Sequence, residues 1–136
     1  GPIGCELGQA FARLGSRVTL VTDGPHLLPR EDADAAAVVD AALRADGVDV
    51  RLNSRLTRVE PGSPPRAVIG ESAVEFDAAL IAAGRKPTVD GLNLEAAGVA
   101  HGPKGVTVDD RLRTTNPRVY AAGDVTGSYP FTHAAD

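Results

Sequence analysis

The sequence predicts an α/β fold, and three features carry that expectation. Two amphipathic helical segments, each stopped by a glycine (Gly15 and Gly47), are each followed by a short Val/Leu-rich run. Three strand-like pieces separated by Pro/Gly turns then form a meander. Later, two small-residue apolar runs, 78–83 and 119–122, each end on a glycine, as buried strands of a parallel sheet do. The composition allows a packed core: 43% of the 136 residues are hydrophobic and 24% are charged. A net charge of −4 gives no electrostatic case for nucleic acid or an anionic membrane. No apolar run approaches the roughly 20 residues that span a bilayer. A single cysteine excludes an internal disulfide framework and suits a reducing, cytoplasmic setting.

The first element follows Gly1-Pro-Ile-Gly4. Leu7, Ala10, Phe11 and Leu14 recur at helical spacing and predict the face packed on a sheet, and Gly15 ends the helix. Val18, Leu20 and Val21 predict a buried strand. Residues 22–30 form a Gly/Pro-punctuated loop. Asp32 is placed to cap a second helix, whose expected buried stripe is Ala35, Val38, Val39, Ala42 and Leu43. Val48–Leu52 alternates as a strand. Leu56–Glu60, Ala67–Ile69 and Ala73–Phe76 are the expected meander. Ala78–Ala83 is expected as a buried strand closed by Gly84-Arg-Lys-Pro87. A short helix over Leu92–Gly98, a strand over Gly105–Asp109 and a last strand over Val119–Ala122 complete the pattern, with His101 in a loop.

Gly1 and Gly4 have the spacing of the last two glycines of G-x-G-x-x-G. Glycine there lets amides at a helix N-terminus approach a pyrophosphate. The same spacing also suits a tight turn with close helix packing. Near the other end, Thr115-Thr-Asn-Pro-Arg-Val-Tyr-Ala-Ala-Gly-Asp124 places one carboxylate after an apolar run and a glycine, where ligands of open α/β sheets bind.

With Ala83-Gly-Arg-Lys-Pro87 between them, these motifs resemble the pyridine nucleotide-disulfide oxidoreductases along essentially the whole chain. Leu28-Pro-Arg-Glu-Asp32 and Tyr129-Pro-Phe-Thr-His133 are similar to the dihydrolipoyl dehydrogenase and mercuric reductase branch. The resemblance implies a Rossmann-like NAD(P)-binding domain over 1–92, without its first strand and first glycine. It implies a returning segment of an FAD-binding domain over 93–136. A chain without methionine that opens inside one motif is expected to be an internal piece of a longer flavoprotein. That protein would pass hydride from NAD(P)H to FAD and on to a disulfide or similar acceptor, as a homodimer formed through a C-terminal domain. Two alternatives stay open: a flavin-dependent NADH:acceptor reductase without a redox disulfide, and a non-catalytic nucleotide-binding piece.

The resemblance also assigns residues. Gly1 and Gly4 would face the dinucleotide; Glu6 would lie near the nicotinamide, or is simply a solvated helix acid. Thr22 stands where the family carries a ribose-binding carboxylate, and Asp23 follows it. With no arginine over 22–26, this favours NAD over NADP. Gly84 and Arg85 would brace the crossing or contact the FAD pyrophosphate, with a structural ion pair as the other reading. Gly123 and Asp124 would form the second FAD fingerprint, Asp124 accepting ribitol hydroxyls. Thr132 would open a helix aimed at the flavin. Arg30 is expected to pair with Glu31 or Asp32, and Cys5 to be a packing residue. No catalytic residue is assigned within the chain, and three isolated histidines give no metal site.

Overall fold

The structure, a computed structural model, describes residues 1–127. The chain divides into two compact units, Gly1–Ala83 and Gly84–Asp136. In the first, helix α1 (Pro2–Arg13) leads to strand β1 (Thr19–Val21), helix α2 (Ala33–Ala45) and strand β2 (Asp49–Arg51). β1 and β2 pair in parallel, Leu20 opposite Val50, with α2 as the crossover: a βαβ unit. Strands β3 (Leu56–Glu60), β4 (Arg66–Ile69) and β5 (Ser72–Glu75) form the antiparallel meander in sequence order.

Both helices end in the same motif. The Gly15 N–H donates to Ala12 and the Ser16 N–H to Phe11; the Gly47 N–H donates to Arg44 and the Val48 N–H to Leu43. The two glycines have φ of 97° and 85°, a backbone that lets the chain double back and feed the next strand. Asp32 stands at the N-cap of α2, but contrary to expectation its side chain makes no capping bond.

The first core gathers Cys5, Leu27, Leu43, Val48 and Val50, with Ala12, Val18, Leu20, Val39 and Leu52 packed around them. This corrects the phase of both helices. α1 turns Cys5, Gly8 and Ala12 inward and leaves Leu7, Phe11 and Leu14 exposed. A Cβ added at Gly8 would lie 3.6 Å from Leu20 Cδ1, so the small side is the one that fits the close approach to β1. α2 buries Ala36 and Leu43 with Val39 alongside, whereas Val38 is 70% exposed and Ala35 and Ala42 face outward. Both helices carry more than one small or apolar stripe at the 3–4 spacing, so periodicity alone could not select the face. Gln9 Nε2 and Arg13 Nη2 reach Asp46 Oδ2 at 2.7 and 2.9 Å, tying α1 to the end of α2.

Ala78–Ala83 forms no strand, and Ile81 is 78% exposed. An apolar run becomes a strand only against a hydrogen-bonding neighbour, and none pairs with this segment among the described residues.

In the second unit, β6 (His101–Gly102) and β7 (Gly105–Val106) make a short hairpin. His101 is therefore a strand residue rather than a loop residue, and the Gly105–Asp109 strand is shorter than expected. Leu92–Gly98 forms overlapping hydrogen-bonded turns, Ala97 N–H to Asn93 O, Gly98 N–H to Glu95 O and Val99 N–H to Leu94 O, and not a helix. Val119–Ala122 forms no strand either; one antiparallel bridge, Arg113 to Tyr120, stands in its place. A 3-10 turn, Gly123–Thr126, follows. No helix among the described residues is long and apolar enough to cross a membrane.

Candidate functional site

Each unit carries its own group of the residues singled out in the sequence. In the first, Gly1 is the N-cap of α1 and Gly4 lies in its first turn, where an added Cβ would sit 3.6 Å from Ala82 Cβ. Pro2 opens the helix and has no N–H to offer. The Ile3 and Gly4 amides, which have no acceptor within the helix, are the donors left at the positive end of the dipole. Glu6 is exposed.

The loop after β1 is set by backbone bonds. Thr22 N–H donates to Arg51 O, Ser54 N–H to Thr22 O, and Asn53 N–H to Gly24 O. The Thr22 hydroxyl oxygen accepts from Gly24 N–H at 3.4 Å, whereas the neighbouring Asp23 is exposed. His26 folds back on the Leu27 carbonyl, 2.7 Å from Nδ1. The expected pairing of Arg30 with Glu31 or Asp32 does not occur: no ion pair of Arg30 is found among the described residues. Cys5 is buried, and burial pushes its thiol pKa up, which suits an unreactive packing residue.

The second unit brings Arg85 and Asp124 together across 39 residues, Nη1 donating to Oδ2 at 2.9 Å. Their side chains are 50% and 48% exposed, so the pair adds only about 0–1 kcal/mol to folding. Of the readings of Arg85, the ion pair is thus present, made to the proposed flavin ligand itself. Gly84 and Gly123, each one residue before a member of the pair, have φ of 106° and 76°. Thr132 lies outside the described residues.

The segment leading to Asp124 is held by side chains that the motif contains. Thr114 is buried; its hydroxyl accepts from Asn116 N–H and lies within reach of the Asn116 and Val119 carbonyls, at 3.0 and 2.9 Å. Thr115 Oγ1 accepts from Ala100 N–H and donates to Gly98 O, while Asn116 Nδ2 donates to Ala97 O. Asp109 accepts from the Arg113 and Arg111 amides, and these bonds hold its carboxyl below the usual carboxylate range. Glu95 is likewise lowered, first by its own amide and then by His101 at 2.8 Å. No group of three or more His, Cys, Asp or Glu that could hold a metal ion occurs among the described residues.

Sequence reading missed Gly105, Gly127 and Pro87. A Cβ at Gly127 would overlap the Lys104 carbonyl, and one at Gly105 would overlap the Val125 carbonyl. Added Cβ atoms at Gly105 and Gly127 would come within 3.1 and 3.2 Å of the Pro87 ring. Two backbones therefore meet without intervening side chains, seating the turn that carries Asp124. Only the excess of glycine hinted at such a contact.

A family model described as pyridine nucleotide-disulphide oxidoreductase matches residues 1–136. The dihydrolipoyl dehydrogenase of Bacillus subtilis (strain 168) is 44% identical over 99% of this chain and 30% of its own length. A mercuric reductase of Bacillus cereus is 40% identical over 99% of the chain and 22% of its own. The chain thus spans under a third of the length of these relatives. Among solved structures, RclA from Escherichia coli, a HOCl-induced flavoprotein disulfide reductase, superposes with a TM-score of 0.89 at 38% identity, over 99% of this chain and 32% of its own. The water-forming NADH oxidase of Lactobacillus brevis bound to NADH gives 0.80 at 28% identity, over 92% and 28%. An engineered NADPH oxidase made from it by five substitutions, bound to NADPH, gives 0.80 at 26% identity over the same shares. With the family match running from the first residue to the last, the chain belongs to the pyridine nucleotide-disulphide oxidoreductases.

Proposed function

We propose that the full-length protein is an FAD-dependent oxidoreductase that takes hydride from NADH and passes electrons to a disulfide or similar acceptor. When bound, the nicotinamide would supply a hydride and the flavin would take up its two electrons and its proton; the residues of this chain would bind and orient both. Residues 1–92 serve the dinucleotide, with Gly1, Gly4, Glu6, Thr22 and Asp23 around it. Residues 93–136 serve the flavin through Gly123, Asp124 and Thr132, with Gly84 and Arg85 at the crossing. A homodimer and a cytoplasmic location belong to the same proposal.

The observation that carries the flavin reading is the Gly123–Thr126 turn, which presents a half-exposed carboxylate bonded through Oδ2. Oδ1 accepts no hydrogen bond among the described residues and suits a ribitol hydroxyl. Asp124→Ala in the full-length protein should lower FAD affinity by about tenfold to a hundredfold, the equivalent of roughly 1.5–3 kcal/mol for a bond to a charged group. Apoprotein titration with FAD measures this. Unchanged affinity would remove Asp124 from the site.

NADH is proposed over NADPH because Asp23, exposed at the end of β1, can accept from ribose hydroxyls and repels a 2′-phosphate. The engineered NADPH oxidase points to the same loop by spacing. Its substitutions replace a glycine and then, eighteen, nineteen, twenty and twenty-five positions on, an aspartate, an alanine, a methionine and a proline; arginine replaces the alanine and the proline. With Gly4 as the anchor, the same steps fall on Thr22, Asp23, Gly24 and Pro29; the proline coincides, and Asp23 takes the place of the alanine that became arginine. Asp23→Arg should move the kcat/KM ratio toward NADPH by at least about tenfold, or 1.4 kcal/mol. A wild-type preference for NADPH, or an unmoved ratio in the variant, defeats the assignment.

A further inference from the structure

We propose that Arg85 is a positioning residue for the flavin, acting through Asp124 rather than on the cofactor directly. This rests on the reading of Asp124 as a flavin ligand. The contact is a single bond, Nη1 to Oδ2 at 2.9 Å, rather than a two-pronged fork. It fixes the carboxylate's rotation while leaving Oδ1 for a hydroxyl donor, and the half-exposed side chain leaves that oxygen within reach of a ligand.

The backbone presets the geometry from both sides. Arg85 and Asp124 each follow a glycine with positive φ, at 106° and 76°, which directs the chain into the contact. Two residues beyond Arg85, the Pro87 ring lies against Gly105 and Gly127, the glycines that seat the Asp124 turn on the β6–β7 hairpin. Both partners are thus anchored to one small piece of packed backbone, and the guanidinium meets the carboxylate at a defined place. Because the pair is half exposed, its loss barely changes folding. Its effect falls on the ligand that must meet an aligned Oδ1.

A double-mutant cycle in the full-length flavoprotein tests this, with FAD affinity of the apoproteins and their melting temperatures as readouts. Arg85→Gln should weaken FAD by about tenfold and Asp124→Asn by at least as much. The double variant should bind like Asp124→Asn alone, within about twofold. Arg85→Lys, which keeps a donor, should recover part of the loss, and apoprotein melting temperatures should match wild type. Additive effects would mean that Arg85 acts on the cofactor independently and would overturn the proposal. A loss that tracks apoprotein melting temperature would overturn it in favour of a structural role. If Asp124→Asn weakens FAD but Arg85→Gln does not, the positioning role alone fails; if Asp124→Asn has no effect, the underlying site reading fails with it.

Discussion

Gly127→Ala in the full-length protein is expected to abolish stable FAD retention, although Gly127 itself offers no side chain to any ligand. The added Cβ would overlap the Lys104 carbonyl and come within 3.2 Å of Pro87 Cγ. A backbone carbonyl, unlike the end of a flexible side chain, has no rotamer to escape into. The residue also sits at φ 69°, which costs a non-glycine residue roughly 1–2 kcal/mol. Overpacking adds about 1–3 kcal/mol. The turn must therefore lift off the β6–β7 hairpin and carry Asp124 with it. Gly102→Ala is the control, since its Cβ would meet nothing within 4 Å. Flavin content after gel filtration, with hydrogen exchange over 101–127, compares the two. Wild-type flavin retention in Gly127→Ala would show that the two backbones are not held so closely.

In the first unit the largest expected loss of stability is from Leu43→Ala. Leu43 is 1% exposed at the centre of the first core. Truncating a buried leucine costs about 2–5 kcal/mol, because the hole it leaves closes only partly. That is a large fraction of the roughly 5–15 kcal/mol that holds a domain together. Val38→Ala on the same helix should be neutral or slightly stabilising, since the side chain is exposed and alanine is the better helix former. Urea melts of both variants test the phase of α2. A costlier Val38→Ala than Leu43→Ala would mean that the helix is rotated from the face described.

The contrast between these residues shows what the sequence could and could not convey. The order of elements from α1 to β5 was legible because glycines at 15 and 47 stop helices for a local reason and Pro/Gly turns bound the meander. Which face each helix buries was not, because alanine-rich helices offer several stripes and only the partner surface chooses. The runs 78–83 and 119–122 were expected as strands, yet apolar content encodes a preference for burial rather than a pairing partner. His101 was placed in a loop because a two-residue strand has no sequence signature. At the candidate sites, Thr22, Asp23 and Asp124 were singled out by their motifs, which says what they could bind but not what surrounds them. The partnership of Arg85 with Asp124 stood among several readings, and the Gly105–Gly127 contact was invisible. Both depend on residues tens of positions apart meeting in space.

The side-chain clamp from Thr114 to Asn116 has a consequence for affinity. Its three polar side chains bond to carbonyls and amides over 97–119, so the approach to Asp124 is shaped by the protein's own groups. Ordering a free loop residue costs about 1–2 kcal/mol of backbone entropy. A ligand that had to organise this stretch would lose that amount from its binding free energy at each residue. Here folding has already met the ordering cost, so a cofactor bound at Asp124, as proposed, would encounter a preorganised surface and keep more of its contact energy as affinity.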